Sequence, residues 1–492
     1  MSEMTHARAS AHAPVPSASP PLPSDTAVAE PTHARASAQT PVPSTSLNLQ
    51  KVDVISSNFQ AIAQHMFMLM MRNMASDGYV FVDPTNSQVF SRAGCIIASP
   101  SYPANTATID QDYVFNWVRD AAITVLEIAA TTPPTAPGQG VQSLIDYVAF
   151  AQLCLSNGTQ SMARGCFTIA GQPRSWSDQN DGPALQSVAL LAIYPQLNMA
   201  AQQTAAEMIA TNLQFLLGVY QQPTTNLWEE HNAYSFFARA AQLRCFEAVK
   251  TNTLGIAIPD GVDAAIAWLK SSLDEHWSEQ EQIYLSLLPP IAGYDPNIDI
   301  ICASLYGAIP FTDTRLLATA AKIRSVWADD GSPHQYPINV TDRAHGMGPL
   351  LGRYPSDFYD GDARDGQSTG NHPWALCTCN LAELYYHVAN TIAASQSLPL
   401  DPLSEPFFSQ VGITAQTSPA DAVNLLHAAA DAMLNAVIYH SDHLELSEQF
   451  DGYTGYEKSV KNLTWSYASF LSAVRAKTSG TILGVTAHAI ER

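Results

Sequence analysis

Twelve apolar runs of helical length follow one another along the chain, and they constrain the fold more than any other feature of the sequence. They lie at 57–75, 119–131, 141–156, 183–193, 201–219, 233–250, 260–275, 298–308, 313–327, 372–393, 418–437 and 463–476. Several are apolar nearly all round, which is typical of helices that pack on more than one side. No linker-like stretch divides the block. Twelve helices in one block predict an all-α fold, six concentric helical hairpins closing into an (α/α)6 barrel.

Two further segments differ from this helical pattern. The runs "GYVFVD" and "SQVFS" flank the turn "DPTN" and predict a small β-hairpin that decorates the helical domain. Residues 1–50 are rich in Ala, Ser and Pro, and "THARASAHAPVPSAS" recurs there as "THARASAQTPVPSTS". Such a composition predicts disorder. We therefore expect a disordered segment at 1–50 and one folded domain at 51–492.

Charge and composition exclude several classes of partner. The formal net charge of −21 would repel phosphate backbones and anionic lipid surfaces, so we expect neither a nucleic-acid nor a membrane partner. No run reaches the ~18 consecutive apolar residues of a membrane span. The seven cysteines form no C-x-x-C pair and no zinc-like cluster, so we expect buried, reduced thiols and no metal. A neutral substrate such as a sugar polymer meets no electrostatic penalty at this surface.

The N-terminus fits neither standard targeting signal, because it lacks a positive start followed by an apolar segment and its prolines oppose an amphipathic helix. We therefore expect a cytoplasmic protein, with leaderless export as the alternative. We also expect it to act as a monomer.

Four loop-like stretches concentrate the Trp, Arg, Asp and Glu residues of the chain: "DYVFNWVRDAA", "SWSDQNDGPAL", "NLWEEHNAYSFF" and "LSEQFDGYTG". In a ring of helical hairpins, the connections at one end converge on one cleft. These stretches could therefore meet there, although they are distant in the sequence.

Two of the stretches offer the pair of carboxyls that hydrolysis of a glycosidic bond requires, one as proton donor and one as base. Glu229 has Glu230 beside it and Trp228 to shield it from water, a setting that raises a carboxyl pKa. Glu448, in "LSEQFD", is the expected partner across the cleft. The alternative for the Glu-Glu pair is an ordinary solvated first turn of a helix.

Eight stretches taken in order resemble the glucoamylase family, glycoside hydrolase family 15: "IIASPS", "YVFNWVRDAA", "QNDGPAL", "NLWEEHNAYSFF", "GRYPSDFYDG", "NHPWALCT", "SEQFDGYTG" and "NLTWSYASFL". The resemblance implies inverting hydrolysis of α-1,4-glucans from their non-reducing ends with release of β-glucose, catalysed by the domain at 51–492. It assigns Glu229 as general acid and Glu448 as general base, with no cofactor. Inversion requires the two carboxyls about 6.5–9.5 Å apart.

The resemblance also implies substrate-binding roles for Tyr113, Trp117, Arg119, Asp120, Trp228, Glu230, Arg353, Asp357 and Trp374. Arg119 and Asp120 would hold hydroxyls of the terminal glucose. Tyr113 would lie near the oxocarbenium-like transition state. The alternative for each Arg-Asp pair is a structural salt bridge.

The chain departs from the family pattern at three places. Asn226 stands where the family often has an aspartate three residues before the first glutamate of "WEE", and "RSWSDQ" stands where "WGRPQ" is usual, so the positions of Arg174 and Trp176 are open. A long polar segment, "DGDARDGQSTGN", follows "GRYP". Subsite preference beyond the first glucose is therefore not fixed by the motifs.

Other activities fit the same motifs. A relative that cleaves trehalose or α-1,6-glucans would use the same carboxyls, and a silent glucan-binding protein would keep the cleft without the chemistry. A phosphorylase on this barrel would place phosphate-binding donors where Glu448 stands, and a carboxylate there would repel phosphate.

Overall fold

Fourteen α-helices account for most of the chain that the computed structural model describes, residues 59–84, 86–100, 113–132, 139–157, 162–361 and 370–479. They are α1 (Phe59–Met71), α2 (Val118–Thr131), α3 (Gln142–Asn157), α4 (Asp181–Ile193), α5 (Met199–Val219), α6 (Phe236–Lys250), α7 (Val262–Asp274), α8 (Asp299–Leu305), α9 (Thr314–Ala328), α10 (Pro337–Ala344), α11 (Ala375–Ser395), α12 (Glu405–Ser409), α13 (Pro419–His440) and α14 (Thr464–Ser479). A single 3-10 turn, Tyr194–Gln196, follows α4.

Six helices form a closed inner ring. α2 packs on α4, α4 on α6, α6 on α8, α8 on α11 and α11 on α14, and α14 returns to α2. Six others lie outside it: α1 packs on α14, α3 on α2, α5 on α4, α7 on α6, α9 on α8 and α13 on α11. This double ring confirms the predicted (α/α)6 barrel.

The burial of each helix follows its place in the rings. Eleven of the fourteen residues of the inner helix α2 are buried. Only five of the thirteen residues of the outer helix α7 are buried, and they form one face. Side-chain caps fix the starts of several helices, including Ser235 before α6 and Asp313 before α9, whose oxygens accept backbone N–H bonds. The inner helix α2 is therefore buried nearly all round, whereas the outer helix α7 is buried on one face.

Each of the twelve predicted runs coincides with one of the helices of the double ring. The two helices that the sequence pattern did not predict, α10 and α12, contain eight and five residues. Neither lies within one of the twelve apolar runs, whereas the seven-residue α8 lies within the run at 298–308.

Eleven short strands lie between the helices of the described residues. They are β1 (Val82–Asp83), β2 (Asn86–Phe90), β3 (Phe115–Trp117), β4 (Cys166–Thr168), β5 (Thr224–Thr225), β6 (Asn232–Ser235), β7 (Trp277–Ser278), β8 (Ile283–Tyr284), β9 (Leu287–Leu288), β10 (Gln449–Phe450) and β11 (Glu457–Lys458). β1 pairs with β2 in the antiparallel hairpin that the sequence predicted. The other pairs are β3 with β4, β5 with β6, β6 with β9, β7 with β8, and β10 with β11, all antiparallel.

All seven cysteines are buried and free, as predicted. By length and composition, α13 alone among the helices of the described residues could cross a membrane. Here it packs on α11 as an outer helix, and its Asp431 pairs with Lys477 of α14. The predicted segment at 1–50 lies outside the described residues, so the domain boundary stays a prediction.

Candidate active site

The site forms where several inner helices begin. Arg119 lies in the first turn of α2 and reaches Asp181, the first residue of α4, at 3.5 Å. Its guanidinium also lies 5.3 Å from the ring centre of Trp465, in the first turn of α14. α11 begins directly after Trp374. The N-terminal ends of α2, α4 and α14 therefore meet. Apart from Arg119 and Asp120, which lie in α2 itself, the predicted residues lie in the segments before α2, α6, α11 and α14.

Glu229 sits in a tight turn between β5 and β6. Its φ of +66° lies in the left-handed region, which costs a non-glycine residue about 1–3 kcal/mol and persists only where the surroundings enforce it. The buried Asn226 enforces it, because its Oδ1 accepts the backbone N–H of Glu230 at 3.0 Å and that of His231 at 2.9 Å. The residue that departs from the family pattern is thus the one that holds the turn.

The Glu229 carboxylate has one partner on each oxygen. Oε1 accepts a hydrogen bond from Arg119 Nη2 at 3.1 Å, and Oε2 accepts one from the indole N–H of Trp176. The side chain keeps 16% of its surface exposed. The indole beside Glu229 is therefore that of Trp176, whereas Trp228, the predicted shield, donates its N–H to Asn297 Oδ1 at 3.0 Å.

Glu230 points to a different set of groups. Its Oε1 accepts from Arg353 Nη2 at 3.0 Å, and its carboxylate also accepts the hydroxyls of Tyr354 at 2.8 Å and Tyr294 at 3.0 Å. Arg353 in turn holds Asp357 in a bidentate pair at 2.7 and 2.8 Å. The two adjacent glutamates thus do not compete for one cation, because each has an arginine of its own.

Glu448 is buried and accepts three side-chain hydroxyls among the described residues. Tyr113 donates to Oε1 at 3.0 Å, while Tyr359, at 3.1 Å, and Ser459 both donate to Oε2. Burial raises the pKa of Glu448 above its usual value. The three hydroxyls and the positive charge of Arg353 oppose that rise by stabilising the ionised form.

Backbone hydrogen bonds fix Glu448 on both sides. Its N–H donates to the carbonyl of Val460 at 2.9 Å, and its carbonyl accepts the N–H of Ala375 at 3.2 Å. The N–H of Trp374 donates to Leu351 at 2.8 Å. Glu448, directly before β10, is therefore tied to the start of the inner helix α11.

Arg119 and Asp120 form the buried charged floor of the site. Arg119 has three carboxylates around it: Asp120 and Asp181 at 3.5 Å and Glu229 at 3.1 Å. Burial raises the pKa of Asp120 to about 6, although the charge of Arg119 opposes the rise. Arg119 Nε and Asp120 Oδ2 lie 3.5 Å apart as an ion pair, and within the described residues neither atom makes a hydrogen bond. Buried polar atoms without hydrogen bonds are costly, so this floor suits a ligand rich in hydroxyls.

Aromatic rings connect the two glutamates. On one side, the ring centres of Tyr113 and Trp117 are 5.7 Å apart, and those of Trp117 and Trp176 are 6.0 Å apart. On the other side, Trp374 lies 5.7 Å from Tyr359 and 5.8 Å from Trp228. Glu448 bonds one end of the first series and Glu229 bonds the other.

All eleven residues predicted for the site belong to this one contiguous set of contacts. They are Tyr113, Trp117, Arg119, Asp120, Trp228, Glu229, Glu230, Arg353, Asp357, Trp374 and Glu448. The structure places these residues together, and their individual roles stay predictions.

The sequence interpretation missed several residues of the site. Tyr359, Tyr354, Trp465 and Asp181 stood inside the quoted motifs, so the motifs contained a signal for them. Ser459 carried no such signal, because it reaches Glu448 only through the pairing of β10 with β11.

The two residues whose positions the motifs left open also belong to the site. The guanidinium of Arg174 lies 4.4 Å from the ring centre of Trp176 and 3.9 Å from that of Phe115. Trp176 itself bonds Glu229. Most of the polar segment "DGDARDGQSTGN", residues 362–369, lies outside the described residues.

Comparisons with known proteins agree with this fold. A family model described as "Glycosyl hydrolases family 15" matches residues 71–150 and 160–475. A glucoamylase of Blastobotrys adeninivorans is 26% identical over 435 residues, which cover 78% of this chain and 67% of that protein. A probable glucoamylase of Schizosaccharomyces pombe is 27% identical over 410 residues, or 77% of this chain and 84% of that protein.

Solved structures of glucoamylases have a similar fold. A family 15 glucoamylase from Hypocrea jecorina superposes with a TM-score of 0.72 at 24% identity, covering 88% of this chain and 74% of that one. A glucoamylase from Saccharomycopsis fibuligera gives 0.69 at 19% identity, covering 88% and 97%. At these identities the likeness establishes the fold.

Proposed function

Because the chain belongs to glycosyl hydrolases family 15, we propose that it is an inverting glucoamylase that releases β-D-glucose from the non-reducing ends of α-1,4-glucans. One observation carries the proposal: a continuous series of side-chain contacts links Glu448 to Glu229. The series runs through Tyr113, Trp117 and Trp176. A buried base and a more exposed acid thus face one aromatic-lined site.

Glu448 is the base in this proposal. A carboxylate offers about four lone-pair sites on its two oxygens, and three hydroxyls of the described residues occupy three of them. About one site then remains to accept a proton from water. Hydroxyl donors favour the ionised form that a base requires.

Glu229 is the proton donor in this proposal. Its side chain is 16% exposed, so the oxygen of a leaving sugar can reach it. Arg119 and Trp176 fix the plane of the carboxyl by bonding one oxygen each. Such fixed geometry is what general acid catalysis needs.

The reaction then follows in one displacement. The bond between the anomeric carbon and the glycosidic oxygen breaks as that oxygen takes the proton of Glu229. A water attacks the opposite face of the anomeric carbon and gives its proton to Glu448. The new hydroxyl therefore has the β configuration. Overall, Glu229 has lost one proton and Glu448 has gained one.

Arg119 and Asp120 would hold hydroxyls of the terminal glucose. Both are buried, and Arg119 Nε and Asp120 Oδ2, an ion pair at 3.5 Å, make no hydrogen bond in the described residues. A sugar that lacks the matching hydroxyl would leave these charged groups unsatisfied, which discriminates strongly between substrates.

An anomer-resolved NMR time course tests the proposal, with maltotriose, glycogen, isomaltose and trehalose as separate substrates. We expect β-glucose to appear first from maltotriose and glycogen, and Glu448→Gln to abolish the signal. Early α-glucose would contradict inversion. Glucose from trehalose or isomaltose alone would show that the chain is a relative that cleaves trehalose or α-1,6-glucans. Ligand binding without glucose from any substrate would make it a silent glucan-binding protein.

Cytoplasmic location, the monomeric state and action without a cofactor remain proposals drawn from the sequence. They do not affect the assignment of the two carboxyls.

A further inference from the structure

Two hydroxyls share one oxygen of Glu448, and a charged residue stands next to each of them in the chain. Tyr359 and Ser459 both donate to Oε2. Asp360 follows Tyr359, and Lys458 precedes Ser459. The Nζ of Lys458 lies 2.7 Å from Oδ1 of Asp360, so an ion pair joins the two segments that supply the donors.

The ion pair is buried. The side chains of Asp360 and Lys458 are 2% and 15% exposed. His372 lies against the other oxygen of Asp360, with Nε2 at 3.3 Å from Oδ2. Burial lowers the pKa of His372, so Lys458 supplies the positive charge at neutral pH. A charge pair in this setting is held more rigidly than one in water.

Gln449 ties the same segments together from the opposite side. Its Oε1 accepts the N–H of Gly361 at 3.0 Å, and its Nε2 donates to the carbonyl of Tyr359 at 3.1 Å. Gln449 also pairs with Lys458 across β10 and β11. The backbone around Asp360 is thus held by Gln449 of β10 and by Lys458 of β11.

Ser459 depends on such support because its backbone is strained. Its φ of +66° lies in the left-handed region that serine rarely adopts. Strained conformations persist where neighbouring contacts fix them, and they cluster at functional sites. The direction of the Ser459 hydroxyl therefore depends on where the adjacent Lys458 is anchored.

We propose that Asp360 and Lys458 are positioning residues whose ion pair clamps the Tyr359 and Ser459 hydroxyls onto one oxygen of Glu448. The inference rests on the proposed function, in which Glu448 is the base. The clamp fixes the free lone pair of Glu448 toward the attacking water. It acts through the two hydroxyl donors and does not touch the substrate.

If a variant of Asp360 or Lys458 alters the activity, a direct effect of the lost charge on the pKa of Glu448 is the alternative explanation. Among the described residues, the charged or titratable groups around Glu448 include Arg353, Tyr113 and Tyr359. Those around Asp360 include His372 and Lys458, with Asp451 beside His372. Direct electrostatics predicts opposite results for loss of Asp360 and loss of Lys458, because their charges are opposite. Positioning predicts the same result for both, because each loss opens the clamp.

The experiment compares Lys458→Met, Asp360→Asn and the double variant by the pH dependence of kcat/KM on maltotriose. We expect both single variants to lower kcat about tenfold with KM within twofold of wild type. We also expect the acidic limb to move to higher pH in both, since each loses hydroxyl donors that favour ionised Glu448. The double variant should be no worse than the poorer single variant. Limbs that move in opposite directions would overturn the clamp.

Two controls separate the clamp from general destabilisation. Lys477→Met removes a second lysine–aspartate pair at 2.7 Å, with Asp431, and should lower the melting temperature without changing kcat or the pH profile. Lys458→Arg should restore most of the activity. The double variant, which removes both charges of the pair, keeps the test readable if a single variant fails to fold.

The outcomes also separate the clamp from the proposed function. If wild type releases glucose, Glu448→Gln does not, and the clamp variants behave as wild type, the clamp is wrong and the function stands. If wild type releases no glucose from any α-glucan, the proposed function fails, and the clamp fails with it.

Discussion

Glu229 and Glu230 are neighbours in the chain, yet their carboxylates bind different arginines, Arg119 at 3.1 Å and Arg353 at 3.0 Å. The left-handed backbone of Glu229 turns the two side chains apart. Adjacent acidic residues can therefore take separate roles. Arg119 and Trp176 hold Glu229, whereas Arg353, Tyr354 and Tyr294 hold Glu230.

Glu229→Gln tests the proton donor. We expect kcat on maltotriose to fall by about 10²–10⁴-fold, the usual contribution of a general acid. α-D-Glucosyl fluoride needs little protonation of its leaving group, so hydrolysis of this substrate should fall far less. Equal losses on both substrates would contradict the acid role. Steady-state rates on the two substrates make the comparison.

Glu230→Gln tests the separation of roles. The change leaves the buried Arg353 with one carboxylate, Asp357, in place of two. We expect a loss of about 1–3 kcal/mol in the free energy of unfolding, since a buried charged hydrogen bond is weakened. The loss on glucosyl fluoride should match that on maltotriose. Urea denaturation and the same two rate assays measure this. A large difference between the two substrates would assign the acid role to Glu230.

Glu448→Gln tests the base. We expect kcat to fall by about 10²–10⁴-fold on maltotriose and on glucosyl fluoride alike, because both reactions need an activated water. Glu445→Gln is the matched control in the same loop, since Glu445 is partly exposed and its partners, Arg72 at 3.5 Å and Asn462 at 3.1 Å, lie outside the proposed chemistry. Wild-type rates are expected for the control. Rates above a tenth of wild type for Glu448→Gln would exclude it as the base.

Ser459→Ala tests the pKa of the base. The hydroxyl of Ser459 donates to Glu448 and holds the pKa of that carboxyl lower than burial alone would set it. Without this donor the pKa rises, so Glu448 is protonated, and activity is lost, at higher pH than in wild type. The acidic limb of the kcat/KM profile should move to higher pH. An unmoved limb would show that this hydrogen bond does not tune the base.

Asp299→Asn tests a buried carboxyl that lies outside the proposed chemistry. Burial raises the pKa of Asp299 from 3.8 to about 8, with a hydrogen bond from Ser286 opposing the rise. Between these values the folded protein binds more protons than the unfolded chain, so stability falls as pH rises toward 8. Asparagine removes this titration. The melting temperature should fall less between pH 5 and pH 8 in the variant than in wild type. Equal falls in the two proteins would contradict the prediction.

The sequence predicted the barrel and eleven residues of the site, but it did not predict all of the contacts among them. Twelve long apolar runs sufficed for the helices of both rings, because periodicity is strong over ten or more residues. The strands of two to five residues carry too little pattern, so apart from the β1–β2 hairpin they were missed. Motif order placed Glu229 and Glu448 in one site.

Contacts between distant segments were beyond the sequence pattern. Adjacency suggested that Trp228 shields Glu229, whereas the left-handed turn at Glu229 leaves that position to Trp176. Ser459 lies eleven residues after Glu448 and reaches its carboxylate because β10 and β11 pair. Spacing along the chain indicates neither relationship, since both depend on a turn conformation or a strand register.

Closure of the inner ring by α14 has a consequence for biosynthesis. Trp465, in the first turn of α14, stacks on Trp228 and lies beneath Arg119. A nascent chain that has supplied both glutamates still lacks this support until its last described helix leaves the ribosome. A premature stop codon before α14 would therefore yield a protein without catalytic activity. Catalysis would begin only when translation of the barrel is complete.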